Sequence, residues 1–401
     1  MKQPAVVVLS SLFPSPAEPL AGIFIRERMF RVARELPLCV VSPQPWFPGQ
    51  AVVRTLRPGY RPGRPVFEEQ QGIEIHRPRA FCPPGIGRRW DSRAMARAAL
   101  PMLRRLRGAG RCDLIDAHFA WPDGHAAALL ARELGVPYTI TLRGTEPRHL
   151  AEPALRPRVV DALRGARRVF AVCAALGEVG MAAGVPESRV TVVANGVDCA
   201  TFKPLPRALA KIRLGLPLES RVLCSVGGLV PRKGFQRVIR LLPRLLVRFP
   251  TLHYLVVGGA GPEGDWRARL VAEAVALGVD SRVRFMGPLP PRELRLPLSA
   301  ADALVLPSSN EGWANVLLEA MACGTPVVAS DVGGTREVVS SPALGFVFPV
   351  ADDDALMERL VATLERPWDR AALVRHARGQ SWDGRVAQLV SALRGSVQRD
   401  A

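Results

Sequence analysis

Lysine is almost missing from this chain. Lys2, Lys203, Lys211 and Lys233 are the only four, so 50 of the 54 basic residues are arginine. Against 36 acidic residues the excess gives a net charge of +18 and a pI near 10.9. Such a charge suits a polyanion or an anionic membrane, and an arginine-for-lysine bias is equally what GC-rich coding produces. No recognisable binding module or aromatic stacking platform accompanies the charge, which argues against nucleic acid as the partner. The seven cysteines, Cys39, Cys82, Cys112, Cys173, Cys199, Cys224 and Cys323, are odd in number and form no Cys-x-x-Cys pair. They point to a reducing compartment, and a cytoplasmic protein is expected. A run of about 18 uncharged apolar residues is lacking, so no segment reads as membrane-spanning. A repeat of about 20 to 50 residues is lacking too.

What is present is an ordinary globular composition, 48% apolar and 22% charged over 401 residues, enough for two domains with separate cores. Residues 1–17 offer Lys2, the apolar "AVVVLSSLF" and then "SPA", in the order of a signal peptide. A buried first strand running into a loop is the favoured reading, because the basic region is minimal and the cysteines look reduced.

Short apolar runs alternate with helical patterns. "AVVVLS" (5–10), "LCVVSP" (38–43), "DLIDAHF" (113–119), "PYTITLRG" (137–144) and "RVFAVC" (168–173) read as strands buried on both faces, with helix-like segments at 24–36, 92–107 and 124–134. A second series follows at 221–228, 252–259, 282–287, 303–308, 326–330 and 345–349. This is the pattern of doubly wound parallel sheets. The expected α/β architecture is two Rossmann-like domains facing across a cleft lined by strand carboxyl ends, 1–198 and 221–376, joined by a Pro-rich linker over 199–220. The Pro- and Arg-rich 54–71 reads as an excursion from the first sheet.

Two stretches carry chemistry. "SVGGLVPRKGFQRVI" (225–239) places Arg232 and Lys233 in a strand-to-helix loop beside Gly227, Gly228 and Gly234. Glycines admit close backbone approach, and adjacent cations suit a diphosphate. "SNEGWANVLLEAMACGTP" (309–326) holds Glu311 and Glu319 eight positions apart. On one continuous helix they would be rotated by about 80° and separated by roughly 12 Å. Gly312 and Asn315 instead suggest a helix beginning near Val316 with Asn315 as its cap. The N–H groups of Asn315, Val316 and Leu317 would then bind phosphate oxygens. Glu319, about 6 Å further along, could accept hydrogen bonds from both ribose hydroxyls. Glu311, upstream, would meet whatever group the diphosphate carries.

These residues resemble the retaining glycosyltransferases of the GT-B fold, family 4. The Glu, seven residues, Glu motif is matched by Glu311 and Glu319, the Arg-Lys-Gly loop by Arg232, Lys233 and Gly234, and "NGVD" by residues 195–198. The match extends through "DAHFAWPDGHAAALLARELGVPYTITLRGTE" (116–146) and the glycine turn "LAGIF" (20–24). The resemblance implies a nucleotide-sugar donor, a saccharide or lipid-linked acceptor, retention at the anomeric carbon and a role in cell-surface polysaccharide assembly. It implies that Arg232 and Lys233 neutralise the diphosphate, Glu319 holds the ribose, Glu311 contacts the donor sugar, and Gly22 lets the first loop reach the phosphates. Retention is drawn as front-face attack with a leaving-phosphate oxygen taking the acceptor proton, with Glu311 as covalent nucleophile the less favoured variant. Positioned cations and helix N–H groups stabilise the charge on the leaving group, so no metal and no cofactor are expected. His118 matches a family histidine near the donor sugar. Arg143 departs from a position often occupied by histidine, and Arg143 and Glu146 are read as acceptor-side. Residues 377–396 resemble the family's terminal helix, which packs back on the N-terminal domain.

Other features support other readings. "GAGPEG" (259–264) satisfies Gly-x-Gly-x-x-Gly after a strand, as in an NAD-dependent oxidoreductase. Pro262 interrupts it, however, and it follows the second strand of its domain, so Gly259 and Gly261 are expected to line the nucleotide pocket. A nucleotide-sugar hydrolase or epimerase on the same fold is a further alternative. "DDD" (352–354) could hold a divalent metal but reads better as a helix cap. His118 and His125 lack a third zinc ligand. Residues 88–111 contain eight arginines, one aspartate and Trp90. That face fits either anionic lipid, placing the protein at the cytoplasmic face of the inner membrane, or plain solvent.

Overall fold

The computed structural model describes residues 3–56, 60–85, 88–261 and 263–397. Lys2 of the signal-like segment and Pro262 of the glycine motif lie outside them. The chain forms two compact units, residues 1–195 with 383–401, and residues 196–382.

The first unit contains β1 (Val6–Leu9), β2 (Leu38–Val41), β3 (Gln44–Trp46), β4 (Phe67–Gln70), β5 (Ile73–His76), β6 (Arg79–Phe81), β7 (Leu114–His118), β8 (Tyr138–Leu142), β9 (Arg168–Ala171) and β10 (Val190–Val192). Eight of these form one sheet in the order β10-β9-β8-β7-β1-β2-β5-β4, while β3 and β6 pair separately. Central strands such as β1 and β8 are buried along their whole length, as their uninterrupted apolar runs require of a sheet covered on both faces. The edge differs from the reading as an excursion. Gln71 and Gly72, with φ of 54° and 80°, make a two-residue turn, and β4 folds back antiparallel on β5. These strands are half-buried and charged, so they lack the apolar signature of the others.

The second unit contains β11 (Val222–Val226), β12 (His253–Val257), β13 (Val283–Gly287), β14 (Ala303–Leu306), β15 (Val327–Ser330) and β16 (Gly345–Phe348), all parallel, in the order β13-β12-β11-β14-β15-β16. The helix Phe235–Arg248 lays Phe235, Val238, Ile239, Leu242 and Leu245 into the core at helical spacing. The segment read as a linker belongs to this unit and includes the helix Arg207–Arg213, with Leu205 N–H donating to Ser299 Oγ at 3.2 Å.

The "NGVD" segment marks the chain crossing between units. Val197 bridges to Ser381, and the Asp198 carboxylate accepts from the N–H groups of Ala200 and Thr201. Residues 377–396 divide between the end of the helix Arg370–Gly379 and the helix Trp382–Val397. From Asp383 onward the latter belongs to the first unit, burying Val386, Leu389, Val390 and Leu393 while Gln388 donates to the Val192 carbonyl. Among the described residues no helix is long and apolar enough to cross a membrane. Asp352 caps the helix Asp353–Glu365 by accepting from Ala355 N–H, while Asp353 and Asp354 pair with Arg237 and Arg244.

Candidate functional site

In the second unit the strand order reverses between β11 and β14. At such a reversal an open parallel sheet leaves a crevice beyond its carboxyl ends. The loop after β11 carries Arg232 and Lys233, the loop after β14 carries Glu311, and the backbone ties the two together. Ser309 N–H donates to the Arg232 carbonyl at 2.8 Å. Gly234 has φ of 73° and lies where a Cβ would sit 2.2 Å from the Pro307 carbonyl oxygen, so both conformation and space demand glycine. Lys233 Nζ thereby reaches Glu311 Oε1 at 2.5 Å, with both side chains largely buried. Arg232 Nε meets Glu263 Oε1 at 2.7 Å in a more exposed pair. Behind Glu311, Gly334 N–H donates to the Gly312 carbonyl and steadies the loop. Sequence reasoning singles out neither Glu263 nor the Gly333-Gly334 turn; the only signal for the first was its place in "GAGPEG".

The helix between the two glutamates runs from Asn315 to Ala322. Asn315 is its first residue and makes no cap: its Nδ2 donates back to the Trp313 carbonyl. The N–H groups of Asn315 and Leu317 also turn to the carbonyls of Trp313 and Ala314, each at 3.0 Å. Of the three N–H groups expected to be free, only that of Val316 lacks a protein acceptor among the described residues. The tight entry through Trp313 and Ala314 is the cause, because its carbonyls compete for the first turn.

Glu319 lies one turn inside this helix, 8% exposed, and its carboxyl has no hydrogen bond or ion pair among the described residues. Burial alone pushes that carboxyl up to about 8. A buried acid without protein donors is costly to the fold, which makes Glu319 a candidate for a ligand contact.

The glycines expected in this pocket pack loop against loop. Leu229 N–H donates to the Gly259 carbonyl at 2.7 Å, and a Cβ on Gly228 would contact Gly261 Cα at 3.5 Å. The tightest contact belongs to Gly258, outside the predicted set, where a Cβ would overlap the Gly227 carbonyl oxygen. These residues join the loops after β11 and β12.

In the first unit the order reverses between β7 and β1. His118 ends β7 and is fully buried. Its Nδ1 accepts from Arg143 Nε at 3.2 Å and Nη2 at 3.1 Å. Arginine has no lone pair to offer, so the imidazole proton sits on Nε2, which faces Asp116 Oδ2 at 3.6 Å. Burial, then Arg143 and Arg28, hold the histidine well below its ordinary range. His118 is a neutral, enclosed ring that accepts from Arg143. Burial lifts Asp116 to about 6, and Thr139 opposes the shift by donating to it. Glu146 is fully buried, and its oxygens accept the N–H groups of Ala120, Arg143 and Gly144, so it closes the loop after β8. Gly22, at φ of 68°, leads into the helix Ile23–Val32, with the Leu12 carbonyl 2.4 Å from where a Cβ would be. His125 accepts or donates to Ser92 in the core and does not approach a metal site. Among the described residues no three metal-ligating side chains gather.

Comparison with known proteins places this geometry. Residues 10–201 match the model of Glycosyltransferase Family 4, and residues 207–380 match that of Glycosyl transferases group 1. The chain is similar to a D-inositol 3-phosphate glycosyltransferase of Thermobispora bispora, 34% identical over 315 residues that cover 72% of each protein. It is similar to one from Frankia alni at 34% identity, covering 72% of this chain and 75% of that protein. Among solved structures it resembles sucrose-phosphate synthase of Thermosynechococcus elongatus, with a TM-score of 0.78 and 22% identity over 98% of this chain and 99% of that one. It also resembles Anabaena HepE in complex with UDP, with a TM-score of 0.73 and 20% identity over 98% and 100%. The two Rossmann-like halves are those of the GT-B fold, and the chain belongs to the group 1, family 4 glycosyltransferases.

Proposed function

We propose that this glycosyltransferase moves a hexose from a UDP- or GDP-linked donor to a hydroxyl of a saccharide or lipid-linked acceptor, with retention, in the assembly of cell-surface polysaccharide or glycoconjugate. The observation that carries the reading is Glu319, a buried carboxyl without protein donors, in the helix that follows the loop whose Glu311 pairs with Lys233. The ribose hydroxyls supply the donors that Glu319 lacks. Lys233 exchanges Glu311 for a diphosphate oxygen, and Val316 N–H donates to another. Glu311, released from its ion pair, takes hydroxyls of the donor sugar. The bond from anomeric carbon to phosphate oxygen breaks, the acceptor oxygen bonds to that carbon on the same face, and the acceptor proton ends on the departing diphosphate. Charge on the leaving group is met by Arg232 and Lys233, so neither a metal nor a cofactor is required.

A second reading of the acceptor is a phosphorylated polyol, favoured because relatives at 33–38% identity are described as D-inositol 3-phosphate glycosyltransferases. The arginines along the helix Asp91–Gly108, with Trp90 46% exposed at its start, suit an anionic lipid surface at which a lipid-linked acceptor would be met. Liposome sedimentation without dependence on anionic lipid would remove that element.

The test is calorimetry with UDP, GDP and NAD, followed by transfer assays in EDTA with UDP- and GDP-sugars. Acceptors are offered as neutral and phosphorylated pairs: myo-inositol with D-inositol 3-phosphate, and glucose with glucose 6-phosphate. Diphosphate binding and EDTA-resistant transfer are expected. NAD binding without affinity for either diphosphate would refute the reading, and release of free sugar in place of transfer would favour a hydrolase.

A further inference from the structure

The helix Arg207–Arg213 lines a cavity of about 280 Å³ in the second unit, together with Ser220, Arg221 and Asp302. The cavity lies at the amino edge of the sheet, since Arg221 directly precedes β11 and Asp302 directly precedes β14. Arg232 and Lys233 follow the opposite end of β11, a strand of five residues that spans roughly 16 Å. This is therefore a different place from the candidate donor site.

The charges around the cavity do not balance. Lys211 is 5% exposed, and its Nζ donates to the carbonyls of Leu218 at 2.7 Å and Ser220 at 2.5 Å. No carboxylate is in ion-pair contact with it among the described residues. Asp302 is shared: its Oδ1 faces both Arg207 Nη2 and Arg221 Nη1, while its Oδ2 accepts Val222 N–H at 2.8 Å. One carboxylate thus serves two guanidinium groups and a backbone donor. Arg370, whose Nη2 donates to the Ser299 carbonyl, is a further cation acting on Arg207 and Lys211. Against these stands Glu219, which is exposed and makes no ion pair among the described residues. Burial, then Arg207 and Arg221, bring the Lys211 ammonium down to about 8, so its neighbours oppose its charge.

Donors remain for a ligand. Arg221 Nε and Nη2, Arg207 Nη1 and the third hydrogen of Lys211 Nζ have no protein acceptor among the described residues. Arg207 and Lys211 stand four residues apart on one helix face, and Arg221 approaches from the strand start. Such convergence suits an oxyanion that takes several donors at once, and planar guanidinium forks match phosphoryl oxygens. A neutral sugar would leave the cations unmatched. The volume sits near the lower limit of small-molecule sites, which favours a phosphoryl group with at most a small appendage.

We propose that this cavity is a second anion site of the protein, binding a phosphoryl dianion, either free phosphate or the phosphate of a small monoester, through Arg207, Lys211 and Arg221. The proposal goes beyond the transferase reading and stands without it.

The experiment is titration calorimetry on the full chain at fixed ionic strength, with inorganic phosphate, glucose 6-phosphate and, as the neutral control, glucose. Both anions are expected to bind and glucose is not. Saturating UDP and the Lys233→Ala change, which address the donor site, should leave the anion affinities unaltered. Arg207→Gln and Arg221→Gln should each weaken anion binding by about tenfold to a hundredfold, the range of a charge-assisted contact. Thermal unfolding is the folding control; Arg221 is exposed and Asp302 retains Arg207 in its absence, so Arg221→Gln decides if Arg207→Gln does not fold. Equal affinity for the two anions assigns free phosphate, tighter glucose 6-phosphate assigns a monoester, and both support the site. Absence of anion binding, equal binding of glucose, binding unaltered in Arg221→Gln, or binding lost with UDP or in Lys233→Ala would overturn it. Failure of the transferase reading shows differently, as no UDP binding and no transfer while phosphate still binds.

Discussion

Glu319 links protonation to donor binding in a way that can be measured. Its carboxyl is lifted from an ordinary 4.5 to about 8 by burial alone, so at pH 7 about nine-tenths of the protein carries it protonated. Ribose hydroxyls donating to both oxygens favour the ionised form, and binding then expels a proton. The sign follows: the complex has the lower pKa, and affinity rises with pH until the free carboxyl is ionised. From pH 6 to pH 8 the ionised fraction climbs from about 1% to about 50%, a roughly fifty-fold gain in affinity, or about 2.3 kcal/mol. UDP-glucose is the suitable probe, because its phosphates keep a constant charge across this interval. Titration calorimetry in two buffers of different ionisation enthalpy would count the proton released, which should approach one per complex at pH 7. Glu319→Gln should bind weakly and without pH dependence. A flat wild-type affinity from pH 6 to 8 with no proton release would refute the ribose assignment. The same shift bears on folding. A carboxyl whose folded pKa is raised contributes fully below the unfolded value near 4.5, and its contribution declines as pH rises toward 8, by at most about 5 kcal/mol. Glu319→Gln should accordingly lose less Tm than the wild type between pH 5 and 8.

Two further perturbations address the loops that carry the cations. Lys233→Ala should weaken UDP binding by about 2–3 kcal/mol, the scale of a lost partly buried charge contact, whereas Glu263→Gln, which frees Arg232 from an exposed pair, should strengthen it by no more than about 1 kcal/mol; equal effects of both changes in calorimetry would show that the diphosphate does not engage this loop. Gly234→Ala meets both a positive φ and the Pro307 carbonyl, so it should lower stability by about 3 kcal/mol in denaturant unfolding and reduce UDP affinity with it, and a neutral result would mean that the two loops are not locked together as described.

The parts of the site legible in the sequence are those carried by short contiguous stretches. "PRKG" and the two glutamates of "EGWANVLLEA" declare a charged loop and a helix with one acid before its start and one inside it, and those local features hold in the folded protein. Asn315 shows the limit. A good capping residue next to a glycine-containing turn suggests a cap, yet its amide turns back to Trp313, because a carbonyl presented by the preceding turn outcompetes the first-turn N–H groups. Glu146 shows the same limit in another form. The resemblance makes it acceptor-side, and its sequence gives no sign that both oxygens are spent on three backbone N–H groups.

By itself the sequence determined the class of the protein. Runs such as "AVVVLS" and "SRVLCSVGG" are too apolar for any place but the middle of a covered parallel sheet, and their alternation with helices permits little else than two doubly wound units. The ordered motifs determined the family. Only the tertiary structure decided who meets whom. Lys233 and Glu311 are 78 residues apart and touch because β14 lies beside β11 where the strand order reverses. His118 and Arg143 meet because β7 and β8 are neighbours. Strand order is set by packing among distant elements, and the direction of a buried polar side chain by competition among donors and acceptors from several of them. Neither quantity is written in any short stretch of chain.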